Sequence, residues 1–449
     1  MVCLRHASAC LYIIIQIHLF LLYLMTEQNN EHESIFKVIK KDFFSIPVSI
    51  RIISLSIFLF LLGRWLGADT FFSVYAKTIV NNIFLISVGW AILALIRMIF
   101  SIPIGKLDDH SNIKFIIFLS KWIYFITGIL YFLAWVYHSM WILLVAIILN
   151  WIATAWLMIT YQTFIREHSR KNNRSSVFWL YFSSANFAYV IGALIASVLI
   201  KRVDIHYLFL FVSIFSVISF FIDEKLPNLS KKKLKEFLWK ESFIHQFMRE
   251  IFGFRWIKSV WEASKWFSHK LYHAFGFEFL FNVLNYIGFI FIPIVSLQNH
   301  LTLSQIAIIF AVMRIPYLIE FFSWEIADRY NKKKFILIVL LFLSLLFALL
   351  WFKEWFAWIL TISFGISLGL ALIRPVISWL ISDNADSHHA GTITWFGEFV
   401  GRFGDIFWSI GFGVLAVFMW IQNSFVIVGI CVFVMAAIWL IKRWIKKMK

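Results

Sequence analysis

Residues 105–114, Gly-Lys-Leu-Asp-Asp-His-Ser-Asn-Ile-Lys, decide the fold together with their echo at 324–334, Trp-Glu-Ile-Ala-Asp-Arg-Tyr-Asn-Lys-Lys-Lys. Each stretch follows a long apolar run, and its acid, Asp109 or Asp328, recurs at an offset of 219. The same offset relates Gly192 to Gly411. Because these matches keep their order and spacing, they indicate an internal duplication whose two copies run in the same orientation.

The apolar runs around these stretches predict membrane-spanning helices. The chain is 61% hydrophobic and 14% charged, whereas an ordinary soluble domain carries about 25% charged residues. A helix of about 20 apolar residues crosses a bilayer, and the runs lack the strict alternation of barrel strands. We therefore predict an all-α polytopic membrane protein with twelve transmembrane helices in two parallel-repeat six-helix bundles. The predicted spans are 50–76, 83–105, 114–136, 140–163, 176–200, 206–222, 275–297, 303–324, 335–352, 355–380, 392–419 and 423–441.

The charge and cysteine patterns exclude several functional classes. The net charge of +17 comes from short basic clusters between apolar runs, which is typical of cytoplasmic loops and not of a nucleic-acid surface. The three cysteines, Cys3, Cys10 and Cys431, have neither metal-ligand spacing nor a disulfide pattern. No Gly-rich phosphate loop is present, so we expect no nucleotide. We also expect no cofactor and no metal, and a monomer surrounded by membrane lipids.

The basic clusters also orient the helices. They fall in alternate loops, and the short loops between them are nearly uncharged. Because Lys and Arg accumulate on the cytoplasmic side, both ends of the twelve-helix unit are predicted to be cytoplasmic, in a cell membrane of plasma or inner type.

Two segments lie outside the predicted bundles 48–222 and 275–445. The segment 1–47 contains an apolar run too short to span, and we interpret Met25 as an alternative start of translation. The linker 223–274 contains eleven Lys and Arg against five Glu. Its residues 243–272 suit an amphipathic helix on the cytoplasmic membrane surface; a plain tether is the alternative. Residues 446–449 are predicted to be a basic cytoplasmic tail.

In motif and architecture the chain resembles the major facilitator superfamily, whose loop runs roughly Gly-x-Leu-Ala-Asp-Arg-x-Gly-Arg-Arg. The resemblance covers about residues 48–445. Relative to this pattern, the first copy departs at His110 and Asn112, and the second begins with Trp324. Helix 4 lacks the Arg, and helix 5 the Pro, of many proton-driven exporters. The matching positions are Gly105, Leu107, Asp109 and Lys114 in the first copy, and Ile326, Ala327, Asp328, Arg329 and 332–334, including Lys333, in the second.

The resemblance implies a cytoplasmic gate at these loops. It implies that Asp109 holds the start of helix 11, near Gly391, when the protein faces outward. The internal repeat would place Asp328 near the start of helix 5, around Ser175. A carboxylate suits these positions because the start of a helix has free N–H groups and a positive dipole end. The alternative is a pair of basic loops with incidental acids.

Ionisable residues at bilayer depth are costly and are therefore candidates for function. In helix 11, Glu398, Arg402 and Asp405 share one face because they are four and three positions apart. The group suits a proton relay, a gate or a structural network. In helix 7, Glu278, Asn282 and Asn285 form a polar stripe with Tyr286 beside it, unless Glu278 is simply solvated at the helix end.

Further candidates lie in helices 1, 10, 2 and 8. Arg64 either attracts an anionic group or pairs with an acid such as Asp69, and Arg374 lies beside Pro375, which permits a kink. Arg97 and Arg314 are repeat-equivalent at an offset of 217, which favours a shared structural role, with Glu320 completing a gate network. The loop residues Asp383, Asp386, His388 and His389 suit a metal or, more simply, a solvated loop.

These observations predict a secondary active transporter that moves a small solute by alternating access, coupled to protons and working in efflux rather than uptake. It is not predicted to be an enzyme. One alternative is a sensor or partner protein on a transporter fold, which would bind a solute without moving it. The other is a lipid-modifying enzyme, for which the loop 383–389 offers the clustered His and Asp residues.

The gate interpretation is testable through Asp109→Asn. The amide loses the charge that attracts the helix 11 dipole, so the protein should shift toward its inward-facing state. Spin labels on the cytoplasmic ends of the two bundles should report a longer separation. Distances identical to those of the unsubstituted chain would reject this role.

Overall fold

The computed structural model describes residues 47–80, 82–108, 113–168, 174–226, 267–319, 332–352, 355–383 and 390–448. Within these ranges the helical segments form twelve helices. They are α1, in segments α1a (Val48–Leu66) and α1b (Ala68–Val80); α2 (Ile83–Asp108); α3 (Ile113–Val136); α4 (Met140–His168); α5 (Arg174–Leu199); α6, in segments α6a (Ile205–Leu208) and α6b (Leu210–Asp223); α7 (His269–Gln298); α8 (Leu303–Arg314), continued by a 3-10 turn (Ile315–Ile319); α9 (Lys332–Leu349); α10 (Phe356–Asp383); α11 (Ala390–Phe418); and α12 (Ile421–Met448).

These helices form two six-helix halves, as predicted. Nine helical spans among the described residues are long and apolar enough to cross a membrane, and Ile83–Ile99 and Leu303–Leu318 are shorter apolar helices. In the first half α1 packs on α5 and α6, and α3 packs on α4 and α6; in the second half α7 packs on α10 and α11, and α9 on α12. The halves meet mainly along α2 with α11 and α5 with α8.

Several predicted boundaries are corrected by the structure. α7 begins at His269, inside the predicted linker 223–274, because the Ser268 side chain accepts the N–H of Leu271 and caps the helix. Regular helix in α8 ends at Arg314, before Pro316, since proline lacks the N–H of the helical ladder. α12 continues to Met448, so residues 446–448 of the predicted tail are helical. The segments 1–46 and 227–266 lie outside the described residues.

The interruptions of α1 and α6 face each other. Gly67 separates the segments of α1, and Phe209 separates those of α6. A Cβ atom at position 67 would overlap the carbonyl of Leu208 and lie 2.9 Å from the Phe209 amide nitrogen. The close approach of these backbones therefore requires glycine at position 67.

The interruption at Gly67 determines which neighbouring side chains can meet. Arg64 and Asp69 are five positions apart, so on a continuous helix they would point about 140° away from each other. In the structure, they form an ion pair of 2.7 Å. The break in α1 therefore creates a pairing that an unbroken helix would forbid.

Two helices end with histidine in the left-handed backbone region. His138 follows α3 with φ of 47°, and His300 follows α7 with φ of 57°. The amide of the next residue donates to a carbonyl five positions earlier in both cases, Ser139 to Ala134 and Leu301 to Ser296, at 3.0 Å each. This is the capping pattern in which glycine is most common. Both turns therefore stop their helices without the glycine that would have signalled them in the sequence.

The role of Gly67 predicts a stability difference between two glycine substitutions. Gly67→Ala should lower the free energy of unfolding by about 1–3 kcal/mol, because the new methyl group meets backbone that cannot rotate away. Gly89→Ala in α2 is the matched control, since its Cβ would have nothing within 4 Å. Alanine should leave α2 unchanged or stabilise it by up to about 1 kcal/mol. Thermal unfolding of purified protein measures both, and equal midpoints would contradict the proposed contact.

Candidate functional site

Arg64 is buried in the first half, and its side chain is held by three helices. One terminal nitrogen, Nη2, donates to Asp69 Oδ1 at 2.7 Å. The other, Nη1, donates to the Tyr124 hydroxyl at 3.1 Å and to the Thr154 hydroxyl at 3.2 Å. Of the two roles predicted for Arg64, the structure shows the pairing with Asp69. Its charge is therefore already compensated within the first half.

The three predicted charges of α11 form one connected group. Arg402 donates through Nη1 to Asp405 Oδ2 at 2.7 Å and through Nη2 to Glu398 Oε2 at 3.2 Å. The Asp405 side chain is 2% exposed, whereas that of Glu398 is 58% exposed. One guanidinium thus bridges an enclosed carboxylate and an exposed one.

Charges from three other helices surround this group. Arg97 of α2 interacts electrostatically with Glu398, Arg402 and Asp405. Arg374 of α10 interacts with Glu398. Glu278 of α7 interacts with the charges of Glu398, Arg402 and Arg374. Charged residues of both halves therefore interact with α11. A change of charge on Glu398 alters the electrostatic energy of charged residues on α2, α7 and α10.

The side chains of the predicted polar stripe on α7 form hydrogen bonds within α7 and with neighbouring elements. The Asn282 amide donates to Glu278 Oε1 at 2.9 Å. The Asn285 Oδ1 atom accepts from the hydroxyl of Tyr317, in the turn after α8, at 3.1 Å. Tyr286 donates to the backbone oxygen of Trp90 in α2 at 3.3 Å. α7 thus joins its own half to α2 of the first half.

The halves touch at the end where α2 begins and α11 ends, away from the predicted basic loops. A Cβ atom on Gly413 would overlap the side chain of Ser87. Further along, Trp65 and Trp90 of the first half pack edge-on against Phe289 of α7, with ring centres 5.9 and 6.0 Å apart. These contacts close the space between the halves from that side.

The structure describes three of the six predicted gate-motif residues, Gly105, Lys114 and Lys333. Gly105 lies within α2. Lys114 donates to the backbone oxygen of Glu224 at 3.2 Å, and the Lys333 ammonium lies 5.9 Å from the centre of the Trp439 ring. Among the residues described, no group of three His, Cys, Asp or Glu could hold a metal. Asp109, Glu320, Asp328, Arg329, Asp386, His388 and His389 lie outside the described residues.

A buried ion pair in the first half was missing from the sequence predictions. Lys121 of α3 lies 3.6 Å from Asp223 at the end of α6b, and their side chains are 2% and 4% exposed. The Lys121 ammonium also donates to the Ser219 hydroxyl at 2.6 Å. Tyr161 of α4 donates to Asp223 Oδ2 at 2.8 Å, and its hydroxyl lies 2.9 Å from that of Ser56 in α1. The network therefore joins α1, α3, α4 and α6.

One signal in the sequence could have found the first member of this pair. Lys121 lies inside the predicted span 114–136, where a charge requires a partner. The spacing alone could not name that partner, because Asp223 is three helices later and was assigned to the linker. The contact depends on how α3 and α6 pack.

Comparison with known proteins identifies the architecture. The family described as the Major Facilitator Superfamily matches residues 53–409. No curated protein matches the chain by sequence.

Solved structures show the same fold at low sequence identity. A POT family transporter in complex with 5-aminolevulinic acid superposes with a TM-score of 0.71 at 12% identity, covering 89% of this chain and 96% of that one. A nucleoside transporter gives a TM-score of 0.68 at 13% identity, covering 88% and 98% of the two chains. A human organic anion transporter gives 0.62 at 12% identity, covering 87% and 99%. At these identities the likeness shows the fold alone.

The Lys121–Asp223 pair predicts non-additive effects on stability. Lys121→Met should destabilise the protein by about 3–5 kcal/mol, because it leaves a buried carboxylate without its cation. The double variant Lys121→Met/Asp223→Leu removes both charges and should recover most of that loss. Thermal unfolding of the two single variants and the double variant measures the coupling. Additive losses would show that the two side chains do not act as a pair.

Proposed function

Because the chain belongs to the Major Facilitator Superfamily, we propose that it is a proton-coupled transporter that moves a small solute between its halves by alternating access. The observation that carries this proposal is the shared guanidinium of Arg402, which binds one enclosed and one accessible carboxylate. Glu398 is the proposed proton carrier, and the charges from α2, α7 and α10 are the proposed route by which its protonation affects both halves. The family is one of transporters, so the chain is not an enzyme and the lipid-modifying alternative is set aside.

The coupling step follows from the geometry of α11. When Glu398 takes up a proton, it ceases to attract Arg402, which keeps its shorter contact to Asp405. The loss of one negative charge also changes the field acting on Arg97 in the first half. The balance of attraction across the α2–α11 contact then differs between the two protonation states. That difference is what a proton must supply to bias one conformation over another.

Alternating access is supported by a close contact between the halves at one end and an exposed carboxylate nearer the other. The halves touch at Gly413 and Ser87, at the end away from the basic loops, while Glu398 nearer the other end is exposed. We propose that this arrangement is the inward-facing one, with the solute site reached from the cytoplasmic side. For direction we propose efflux, and for the working unit a monomer in the plasma or inner membrane.

Proteoliposomes with an imposed pH gradient test the proposal. The first panel contains solutes of the kinds named for the structural neighbours: 5-aminolevulinic acid, peptides, nucleosides and organic anions. At least one labelled solute should move down or against its gradient when the pH gradient is applied, and its movement should dissipate that gradient. Reversing the gradient tests efflux, because a proton-driven exporter moves solute out of the compartment that protons enter.

Substitutions separate coupling from transport itself. Glu398→Gln should abolish acceleration by the pH gradient while exchange of labelled for unlabelled solute continues, because exchange needs no net proton movement. Glu224→Gln is the matched control, an exposed glutamate at the end of α6b, and should behave as the unsubstituted chain. Undiminished gradient-driven transport by Glu398→Gln would remove Glu398 from the mechanism. Binding of a solute without movement would favour the sensor alternative.

A further inference from the structure

The two repeat-equivalent arginines, Arg97 and Arg314, both lie over aromatic rings but differ in their charged neighbours. Arg97 lies in the field of Glu398 and Asp405. Arg314, at the end of α8, takes part in none of the ion pairs or side-chain hydrogen bonds of the described chain. It is only partly buried. A cation at this depth without a carboxylate is costly, which points to a function.

Aromatic rings from both halves surround the Arg314 guanidinium. Its central carbon lies 5.0 Å from the ring centre of Trp65 and 5.1 Å from that of Tyr189, both in the first half. It lies 5.4 Å from the rings of Phe289 and of Tyr317, both in the second half. Rings at these distances attract the cation through their faces without occupying its N–H donors. We call these four rings and Arg314 the arginine cage.

Contacts within and around the cage hold three of its rings in place. Tyr317 lies in the 3-10 turn that replaces regular helix after Arg314. Its hydroxyl donates to Asn285, and its backbone oxygen accepts from Asn186 of α5 at 3.3 Å. Trp65 packs against Tyr189 with ring centres 4.7 Å apart. The rings around the guanidinium are therefore in place before any ligand arrives, which lowers the entropic cost of binding.

The local charge favours a negative ligand. The Tyr189 hydroxyl experiences the charges of three arginines, Arg314, Arg64 and Arg374, and of one carboxylate, Asp69. Asp69 is engaged by Arg64, and Arg374 interacts with acids of the second half. The indole N–H of Trp65 is a buried donor that lacks an acceptor. It lies beside the guanidinium of Arg314, and a ligand with acceptor atoms would satisfy it.

We propose that the arginine cage binds the anionic group of the transported solute, and that the solute is a small organic carboxylate with a flat, apolar body. This proposal rests on the proposed transport function and names its substrate class. A guanidinium offers two parallel N–H donors to a carboxylate, and the partly exposed rings of Tyr189 and Phe289 offer surfaces on which a planar body stacks. Arg64 and Arg402 are less suited to this role because each is already bound to a carboxylate.

Thermal unfolding of the full-length purified protein with four related probes tests the cage. Benzoate is the expected ligand class, benzamide is its neutral counterpart, phenyl phosphate carries a different oxyanion, and acetate lacks the flat body. Benzoate should raise the unfolding temperature in a saturable way, since a ligand that binds only the folded state stabilises it. Benzamide should have no effect at equal concentration, and acetate should act only at higher concentration. If phenyl phosphate raises the unfolding temperature more than benzoate does, the site prefers a phosphate ester to a carboxylate, and the proposed ligand class is wrong.

Arginine substitutions show whether the effect arises at this site. Arg314→Gln should raise the dissociation constant for benzoate by about 10- to 100-fold, the value of one charged, two-pronged hydrogen bond. Arg314→Lys keeps the cation over the rings but loses the planar fork. Its dissociation constant for benzoate should therefore lie between those of the unsubstituted chain and Arg314→Gln. Thermal unfolding of Arg314→Lys without ligand shows whether this variant still folds. Arg202→Gln, an exposed arginine before α6, is the matched control. Equal benzoate binding by Arg314→Gln and the unsubstituted chain would overturn the proposal, as would the absence of any benzoate effect.

Failure of this inference can be told apart from failure of the transport proposal. If a neutral solute moves with protons in proteoliposomes while Arg314→Gln leaves benzoate binding unchanged, the cage proposal is wrong and the transport proposal stands. If benzoate binding requires Arg314 but no panel solute, benzoate included, crosses the membrane, the cage is a binding site and the transport proposal fails.

Discussion

The high energy of an isolated charge in a bilayer is the constraint on which the rest of this structure depends. Three ionic groups inside the helices satisfy it in three ways: Arg64 pairs locally with Asp69, Lys121 pairs with Asp223 across the first half, and Arg402 holds two acids of its own helix. Each arrangement also fixes helices that apolar packing alone would leave free to slide, because side chains in lipid gain little from burial against one another.

Departures from regular helix position these charged groups. The interruption of α1 at Gly67 brings Arg64 and Asp69 together, and the turn after α8 places Tyr317 beside Arg314. In both places a backbone irregularity is buried within the protein, where neighbouring groups satisfy its hydrogen bonds. Where α11 stays regular, its charges can meet only at helical spacing, which is the spacing of Glu398, Arg402 and Asp405. Local backbone geometry thus decides which charges are partners and which remain available.

The sequence predicted the parts of this structure that follow from one helix at a time. The twelve apolar runs were visible because bilayer thickness sets their length, and the α11 triad because its spacing is helical. Lys121 and Asp223 were missed as a pair because their contact depends on the packing of separate helices. The start of α7 was placed late because Ser268 caps it within a charged segment. Arg97 and Arg314 have different charged neighbours because those neighbours come from other helices. The sequence around each arginine does not reveal them.

The two ion pairs of the first half also differ in when they can form during synthesis. Arg64 meets Asp69 within a single crossing, so α1 enters the membrane with its charges already matched. Lys121 enters with α3, but Asp223 is made only when α6 has been translated. Until then the Lys121 ammonium lacks its carboxylate, and a centrally placed lysine costs about 2.5–3.5 kcal/mol to insert. The first six helices therefore mature as one unit, completed by the last residue of α6.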